Sequence, residues 1–362
     1  MTPMTSATTS NTPPTTQSGV EVTVSNPQLA ALLRGAGVAS LDHIGWIRVT
    51  GADRVRWLNG MATNTVQDLV IGIGAYNFFL NAQGRIQADG YIFASADELL
   101  IETSRQQIVP LIPYLDHYII MDDVELADVT ASRHGISLIG PKAAQLLAEI
   151  GLSADDLKDL ETRRLSWQAT TVTLIHAHSP LVPRYEIWAD NPADTAALLD
   201  ALKAAGAVPC EPTTLEWLRI LEGTPLYGTD IRDRDLPQET NQTRALHFAK
   251  GCYLGQEIVE RIRSRGSVHR TFTAFRLEGA IPAEGAQLES GGKPVGELTS
   301  VASIPLAGSH GNTLQLALGY LRREALDRHE SIQYPGGIVV PAPSPAAEAQ
   351  AAISASDSPE RS

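Results

Sequence analysis

Cysteine is nearly absent: Cys210 and Cys252 are the only two in 362 residues. Two thiols cannot build a disulfide framework or a four-thiolate metal site, so a reducing cytoplasm is expected, with no structural zinc and no iron–sulfur cluster of the chain's own. Long apolar runs are also missing, and nothing approaches the ~18 residues that would span a bilayer. The stretch from Met1 to Gly19 has no Lys, no Arg and no apolar block, and so lacks both parts of a secretory signal. An excess of positive charge is missing as well. The formal charge is −13, which argues against a nucleic-acid or membrane-surface binder, since both need a cationic field to meet phosphate. No P-loop, His-Glu-x-x-His or Gly-x-Ser-x-Gly occurs, and Gly72-Ile73-Gly74 lacks the third glycine of a dinucleotide fingerprint. His176 and His178 share a strand face, but no third metal ligand is signalled.

What is present is the 43% hydrophobic content of a globular protein, at a length that suggests two or three domains. Asn26-Pro27 opens a short helix that Gly35 closes. Strand and hairpin signals at 46–49, 75–80, 86–93 and 99–102 alternate with helices at 52–58 and 104–116, the second interrupted by Pro110 and Pro113, which should bend or break it. A second unit carries strands at 137–139, 171–175 and 185–188, an alanine-rich helix from Asn191-Pro192, and an amphipathic helix capped by Thr213 or Thr214. After Gly266 the helical signal stops and β-rich segments divided by Gly and Pro suit a small β-barrel. Hairpins mixed with helices, without regular βαβ units, make the fold class α+β. The expected boundaries are a disordered segment 1–25, a first α+β subdomain 26–130, a second 131–268, a barrel 269–340 and a disordered tail 341–362.

Chemistry concentrates at Lys250-Gly251-Cys252-Tyr253-Leu254-Gly255-Gln256-Glu257. Leu254, Ile258 and Ile262 recur at helical spacing, which places Cys252 just before or within a helix's first turn. There unpaired N–H groups, the macrodipole and the basic Lys250, Arg261, Arg263 and Arg265 favour a thiolate. The alternative is a thiol that merely packs.

This octapeptide resembles the signature of YgfZ-type folate-binding proteins, relatives of the glycine-cleavage T-protein. Further similar stretches are residues 218–230, Leu236-Pro237-Gln238-Glu239-Thr240-Asn241, Asn59-Gly60-Met61-Ala62-Thr63-Asn64 and residues 76–85. The resemblance implies two aminomethyltransferase-like subdomains with a C-terminal barrel, a tetrahydrofolate or one-carbon derivative as ligand, and a role in assembling or repairing the iron–sulfur clusters of client enzymes, including tRNA-modifying ones. Partners would be folate and iron–sulfur client or assembly proteins. The alternatives are folate-dependent aminomethyl transfer and a non-catalytic folate-binding module.

The β pattern of Arg184-Tyr185-Glu186-Ile187-Trp188 puts Arg184, Glu186 and Trp188 on one face and Tyr185 and Ile187 on the other. A carboxylate there can accept two parallel hydrogen bonds from an aminopyrimidinone edge while aromatics sandwich the ring, or it can simply line a solvated face. The resemblance makes Glu186 the pterin-reading acid, with Tyr185 and Trp188 beside it, and makes Arg219 a ligand group instead of an ordinary helix arginine. Asp89 lies where the T-protein carries paired aspartates, yet its neighbour is Ala88, so either position could be the working one. The run Arg261, Arg263, Arg265, His269, Arg270 is expected to attract a folate's glutamyl tail or a protein partner.

Overall fold

The computed structural model describes residues 23–266, 268–307, 313–328 and 331–342. The segment before Thr23, the tail after Ala342 and the side chain of Arg265 lie outside the described residues. The chain opens with a two-residue strand β1 (Thr23–Val24) and helix α1 (Pro27–Arg34), which the Asn26 side chain caps by accepting from the backbone N–H of Gln28 and Leu29. Next come β2 (Gly37–Ser40), β3 (Ile44–Thr50), α2 (Arg54–Met61), the hairpin β4 (Gly74–Leu80) and β5 (Ile86–Ala94), β6 (Leu99–Ser104), α3 (Arg105–Asp116) and β7 (Glu125–Asp128). Pro110 and Pro113 do not break α3. Ile108, Leu111 and Leu115 bury against the sheet and offset the lost backbone hydrogen bonds.

The second stretch runs β8 (His134–Ile139), α4 (Ala143–Glu149), β9 (Thr162–Trp167), β10 (Thr170–Ala177), β11 (Arg184–Ala189), α5 (Pro192–Ala204), β12 (Val208–Pro209) and α6 (Pro212–Glu222). The N-terminus of α6 differs from the expected threonine cap. Pro212 takes the first helical position and Glu211 the cap, while the Thr214 hydroxyl donates to Gln28 Oε1 at 2.8 Å and ties α6 to α1. Helix α7 (Gln256–Arg265) then leads into β13 (Arg270–Gly279), β14 (Gln287–Ser290), β15 (Lys293–Ile304), β16 (Leu306–Ala307), β17 (Leu314–Arg322), α8 (Arg323–Arg328), β18 (Ile332–Tyr334) and β19 (Gly337–Pro341).

These elements make an α+β molecule of two sheets and a closed barrel. One sheet has the order β4-β5-β6-β3-β7, the other β12-β2-β8-β11-β10-β9, and the barrel β13-β17-β15-β14-β18-β19. The sequence-based boundary at residue 130 misses one exchange: β2 belongs to the second sheet, pairing with β8 and β12. Period-2 alternation decides which side of each sheet does what. Ile47, Ala88, Ile92 and Ile101 of the first sheet bury under α2 and α3. Ile136, Leu138, Leu174 and Ile187 of the second bury under α4 and α5. The remaining faces meet through Trp46, Phe93, Leu100, Ile175 and Trp188. Helices α1 and α6 carry Leu29, Leu32, Leu33, Leu218 and Leu221 against barrel residues Phe272, Leu316 and Leu318. Polar side chains on the two facing sheets are therefore enclosed between layers. Among the described residues no helix is long and apolar enough to cross a membrane.

Candidate functional site

Where the two sheets, α6 and the 224–226 turn meet, a cavity of about 520 Å³ opens, lined by Ser137, Arg184, Tyr91, His43, Leu226 and Arg244 among others. Glu186 stands behind this wall, outside the cavity lining itself, between two residues that do line it, Arg184 and Ser137. It is 6% exposed, pairs in register with Ser137 of β8, and follows the cavity-lining Arg184 by two residues. Its Oε2 accepts from Trp188 Nε1 at 2.9 Å. Its carboxyl also meets that of Glu102, which reaches across from β6 of the other sheet. Burial raises both carboxyls above the ordinary range. Glu186 further disfavours the charge on Glu102, while the Trp188 N–H and the Arg184 guanidinium favour the charge on Glu186. The two carboxyls therefore share a proton.

Trp188 packs edge-on to Trp46 with ring centroids 5.1 Å apart. Tyr185 is on the other face of β11, in the core under α4 and α5, with its ring stacked on His176 at 4.8 Å. It does not accompany Glu186. His176 and His178 are both engaged, through Nδ1, with the Leu157 carbonyl and the Asp159 carboxylate.

Arg219 lines the same cavity, but its donors are committed. Nε donates to Glu216 at 2.8 Å, Nη1 to Asp230 at 2.6 Å and the Thr224 carbonyl at 2.7 Å, and Nη2 to Ser300 Oγ at 2.7 Å. Asp230, 0% exposed, also accepts from the Leu226 N–H and the hydroxyls of Thr299 and Ser300. The arginine thus joins α6 to the 224–230 turn and to the barrel.

The alternation of β5 separates Asp89 from Ala88. Ala88 goes into the core under α2 and α3, whereas Asp89 Oδ2 accepts from the Tyr76 hydroxyl at 2.6 Å and Oδ1 from Gln107 Nε2 at 2.8 Å. Burial raises its pKa, against those two donors. The Arg244 guanidinium covers the Tyr76 ring at 4.1 Å and donates to the Tyr91 hydroxyl at 3.1 Å, so the aspartate's tyrosine partner is held at the cavity's edge.

The octapeptide lies elsewhere, against the end of α2. Lys250 Nζ donates to the carbonyls of Asn59, Ala62 and Asn64 at 2.7, 2.7 and 2.6 Å, and the Leu254 N–H donates to the Gly60 carbonyl at 2.9 Å. Together they satisfy carbonyls that the helix end leaves open, and the ammonium meets the negative end of the dipole. Burial draws this lysine down to about 7, but three acceptors for its three N–H groups oppose the loss of charge. Tyr253 is buried beside Val259 and Ile86. Gly255, at φ +80°, caps α7 with its α-carbon against the hairpin tip: an added Cβ would stand 2.5 Å from the Asn81 carbonyl, and one on Gly84 would stand 2.8 Å from Ile258. Three motifs far apart in sequence, 59–64, 76–85 and 250–257, converge here for that reason.

Cys252 is exposed, four residues before α7 begins, and lines an open cavity of about 610 Å³ with Trp57, Met61, Tyr118, Gln256 and Glu257. Gly251 is exposed, with no neighbour where a Cβ would stand. The basic run disperses. Lys250 serves the α2 carbonyls, Arg263 lies over the Phe248 ring at 4.4 Å, and Arg270 pairs with Asp235 at 2.5 Å and Glu239 at 3.2 Å.

Sequence reasoning missed Glu102, Ser137, Tyr76, Gln107 and Arg244. Two of these had a signal: an acid within Leu99-Leu100-Ile101-Glu102 and a serine within Ile136-Ser137-Leu138-Ile139 are polar residues at core-strand positions. The others come from different elements, and only the fold brings them together.

Known proteins match this architecture. A putative chloroplastic transferase of Arabidopsis thaliana is 27% identical over 302 residues, covering 82% of this chain and 68% of that protein. An aminomethyltransferase of Thermus thermophilus is 28% identical over 282 residues, covering 76% of this chain and 78% of its own. The crystal structure of glycine cleavage system aminomethyltransferase T from Bartonella henselae superposes with a TM-score of 0.76 at 18% identity, over 90% of this chain and 93% of that one, a likeness of fold. The GCVT N-terminal domain family matches residues 21–250; the chain belongs to that family and is a relative of the glycine-cleavage T-protein.

Proposed function

We propose that the protein binds tetrahydrofolate or a one-carbon derivative in the cavity between its sheets, and that it acts as a YgfZ-type accessory factor in assembly or repair of iron–sulfur clusters in client enzymes, tRNA-modifying ones among them. The observation that carries the folate reading is the buried acid Glu186 in a wall where Ser137 Oγ and Arg184 Nε make no hydrogen bond. An enclosed polar group without a partner costs about 1–3 kcal/mol, and a ligand with both donors and acceptors along one edge removes that cost. Glu186, with a free lone pair beside its Trp188 and Glu102 contacts, takes the donors of an aminopyrimidinone edge. Trp188 acts through Glu186 by fixing its carboxylate. The accessory role draws on the octapeptide, whose lysine, tyrosine and second glycine hold the loop in place and leave the Cys252 thiol outward on it. Calorimetry against a panel of folates tests the first part, and absence of binding to every one rejects it. Complementation of cells lacking the native protein, scored by iron–sulfur enzyme activity, tests the second.

A second reading is aminomethyl transfer, favoured by Asp89: its carboxylate is half-buried, raised in pKa and oriented by Tyr76 and Gln107, as a base or electrostatic anchor needs to be. Aminomethyl transfer with glycine-cleavage partner proteins, abolished by Asp89→Asn, would place this reading first.

A further inference from the structure

Of the cavity's cationic side chains, Arg219 and Arg244 are bonded within the protein. Arg184 differs, because its buried Nε has no hydrogen-bond partner. On the next strand Ser137, only 3% exposed, has an unpartnered hydroxyl. Ser137 and Glu186 are register partners on adjacent antiparallel strands, so their side chains leave the same face with Cβ atoms about 5 Å apart. Arg184 precedes Glu186 by two residues and leaves that face too. The wall therefore presents, side by side, a carboxylate that only accepts, a guanidinium that only donates and a hydroxyl that does either.

We propose that Arg184 and Ser137 read the ring carbonyl of a 2-amino-4-oxopteridine, next to the amino edge taken by Glu186, and that Arg184 makes the cavity select 4-oxo over 4-amino pteridines. This rests on the folate reading above. The two residues divide the work because of their chemistry. The serine hydroxyl donates to a 4-oxo group or accepts from a 4-amino group, and so supports either ligand. The Nε–H cannot accept, and a 4-amino group leaves it facing another donor, the kind of mismatch that a site built for hydrogen bonding rejects strongly.

The test is calorimetry of the full chain under anaerobic conditions with tetrahydrofolate and tetrahydroaminopterin, which differ at that group and in the proton that only the 4-oxo ring carries on N3, with melting temperatures measured in parallel. The native protein should prefer the 4-oxo ligand by about tenfold or more. Ser137→Ala should weaken both ligands by about five- to tenfold, preserve their ratio, and leave the melting temperature unchanged or higher, because it removes an unsatisfied buried hydroxyl. Arg184→Met should lower that ratio by about fivefold or more. The N3 proton, which only the 4-oxo ligand offers Glu186, contributes to the native ratio and persists in the arginine variant, so the arginine's share is read as a fall in the ratio and not as its disappearance. If Arg184→Met does not fold, Arg184→Gln, whose amide can donate or accept, reads the same fall. A native ratio kept in the arginine variant, equal native affinities, unchanged affinities in Ser137→Ala, or a lower melting temperature for it would each overturn the proposal while the folate reading stands. Failure of the native protein to bind either ligand overturns both.

Discussion

The Asp230 node and the Glu186 wall are both buried polar clusters built around a carboxylate and an arginine, some of their residues lining one cavity, and they are finished differently. Asp230 accepts from Arg219, Thr299, Ser300 and the Leu226 N–H, and Arg219 spends its donors on Glu216, Asp230, Thr224 and Ser300. At the Glu186 wall one proton serves two carboxyls, and Ser137 Oγ and Arg184 Nε have no partner. A fully satisfied buried network adds rigidity to the fold. A network with open valences costs stability until something else fills it. The first cluster is thus read as the joint between α6 and the barrel, the second as the place where a ligand completes the protein.

The largest effect that tests this contrast falls on the joint. Arg219→Ala leaves Asp230 enclosed without its cation and should destabilise the protein by about 3–5 kcal/mol in urea unfolding. A folded variant of native stability that has lost only ligand affinity would move Arg219 to the ligand side. The octapeptide's lysine comes next. Lys250→Met strips three carbonyls of their donor and should cost about 1–3 kcal/mol, which would class Lys250 with the joints. At the wall, Glu186→Gln should weaken tetrahydrofolate binding by about 1–3 kcal/mol with a stability change under about 1 kcal/mol. An unchanged dissociation constant rejects Glu186 as a ligand group.

The shared proton gives the wall a pH signature. Burial and the neighbouring Glu186 keep Glu102 protonated at pH values where the unfolded chain, with an ordinary glutamate value of 4.5, has released its proton. Unfolding therefore releases a proton above that pH, and the stability contributed by the protonated form is full below it and lost as pH rises toward the folded value. Glu102→Gln, which keeps a donor without the acid, should match the native protein near pH 4.5 and exceed it at pH 8. Equal slopes of stability against pH for the two proteins would show that the carboxyls do not share a proton.

Much of the architecture was legible from local pattern: burial follows period in residues 86–93, the alternation of residue types marks 184–188 although both faces of that strand are buried, and the caps at Asn26 and Asn191 mark their helices directly. Strand β9 and helix α8 were not legible. Thr162–Trp167 carries two arginines in six residues and half-exposed positions at an edge, and Arg323–Arg328 is a single charged turn after a strand. The exchange of β2 into the second sheet depends on pairing partners about a hundred residues away, which no local pattern encodes. At the site, sequence pointed to Glu186 and Cys252. It gave no indication that Glu102 shares the first one's proton, that Tyr185 turns into another core, or that the octapeptide's glycine makes room for a hairpin tip.

The smallest effect concerns the two thiols, and it sharpens the contrast between closed and open places without touching stability. Cys210 is half-buried, its Sγ donates to the Val208 carbonyl at 3.4 Å, and burial pushes its pKa up to about 11. Cys252 is exposed beside an open cavity, on a loop that Lys250 and Tyr253 hold. Because the thiolate is the reacting form, iodoacetamide at pH 7.5 should label Cys252 at least about tenfold faster than Cys210, as read by mass spectrometry of the two peptides. Cys252→Ala should leave the melting temperature and folate affinity unchanged, since the thiol does not line the cavity between the sheets. Equal labelling of both cysteines would mean that the loop closes over Cys252 in solution. A loss of folate affinity in the variant would mean that the loop and the cavity between the sheets are coupled, and the separation of a ligand wall from an outward thiol would then fail at its weakest joint, the packing of Gly255 against the Asn81 turn.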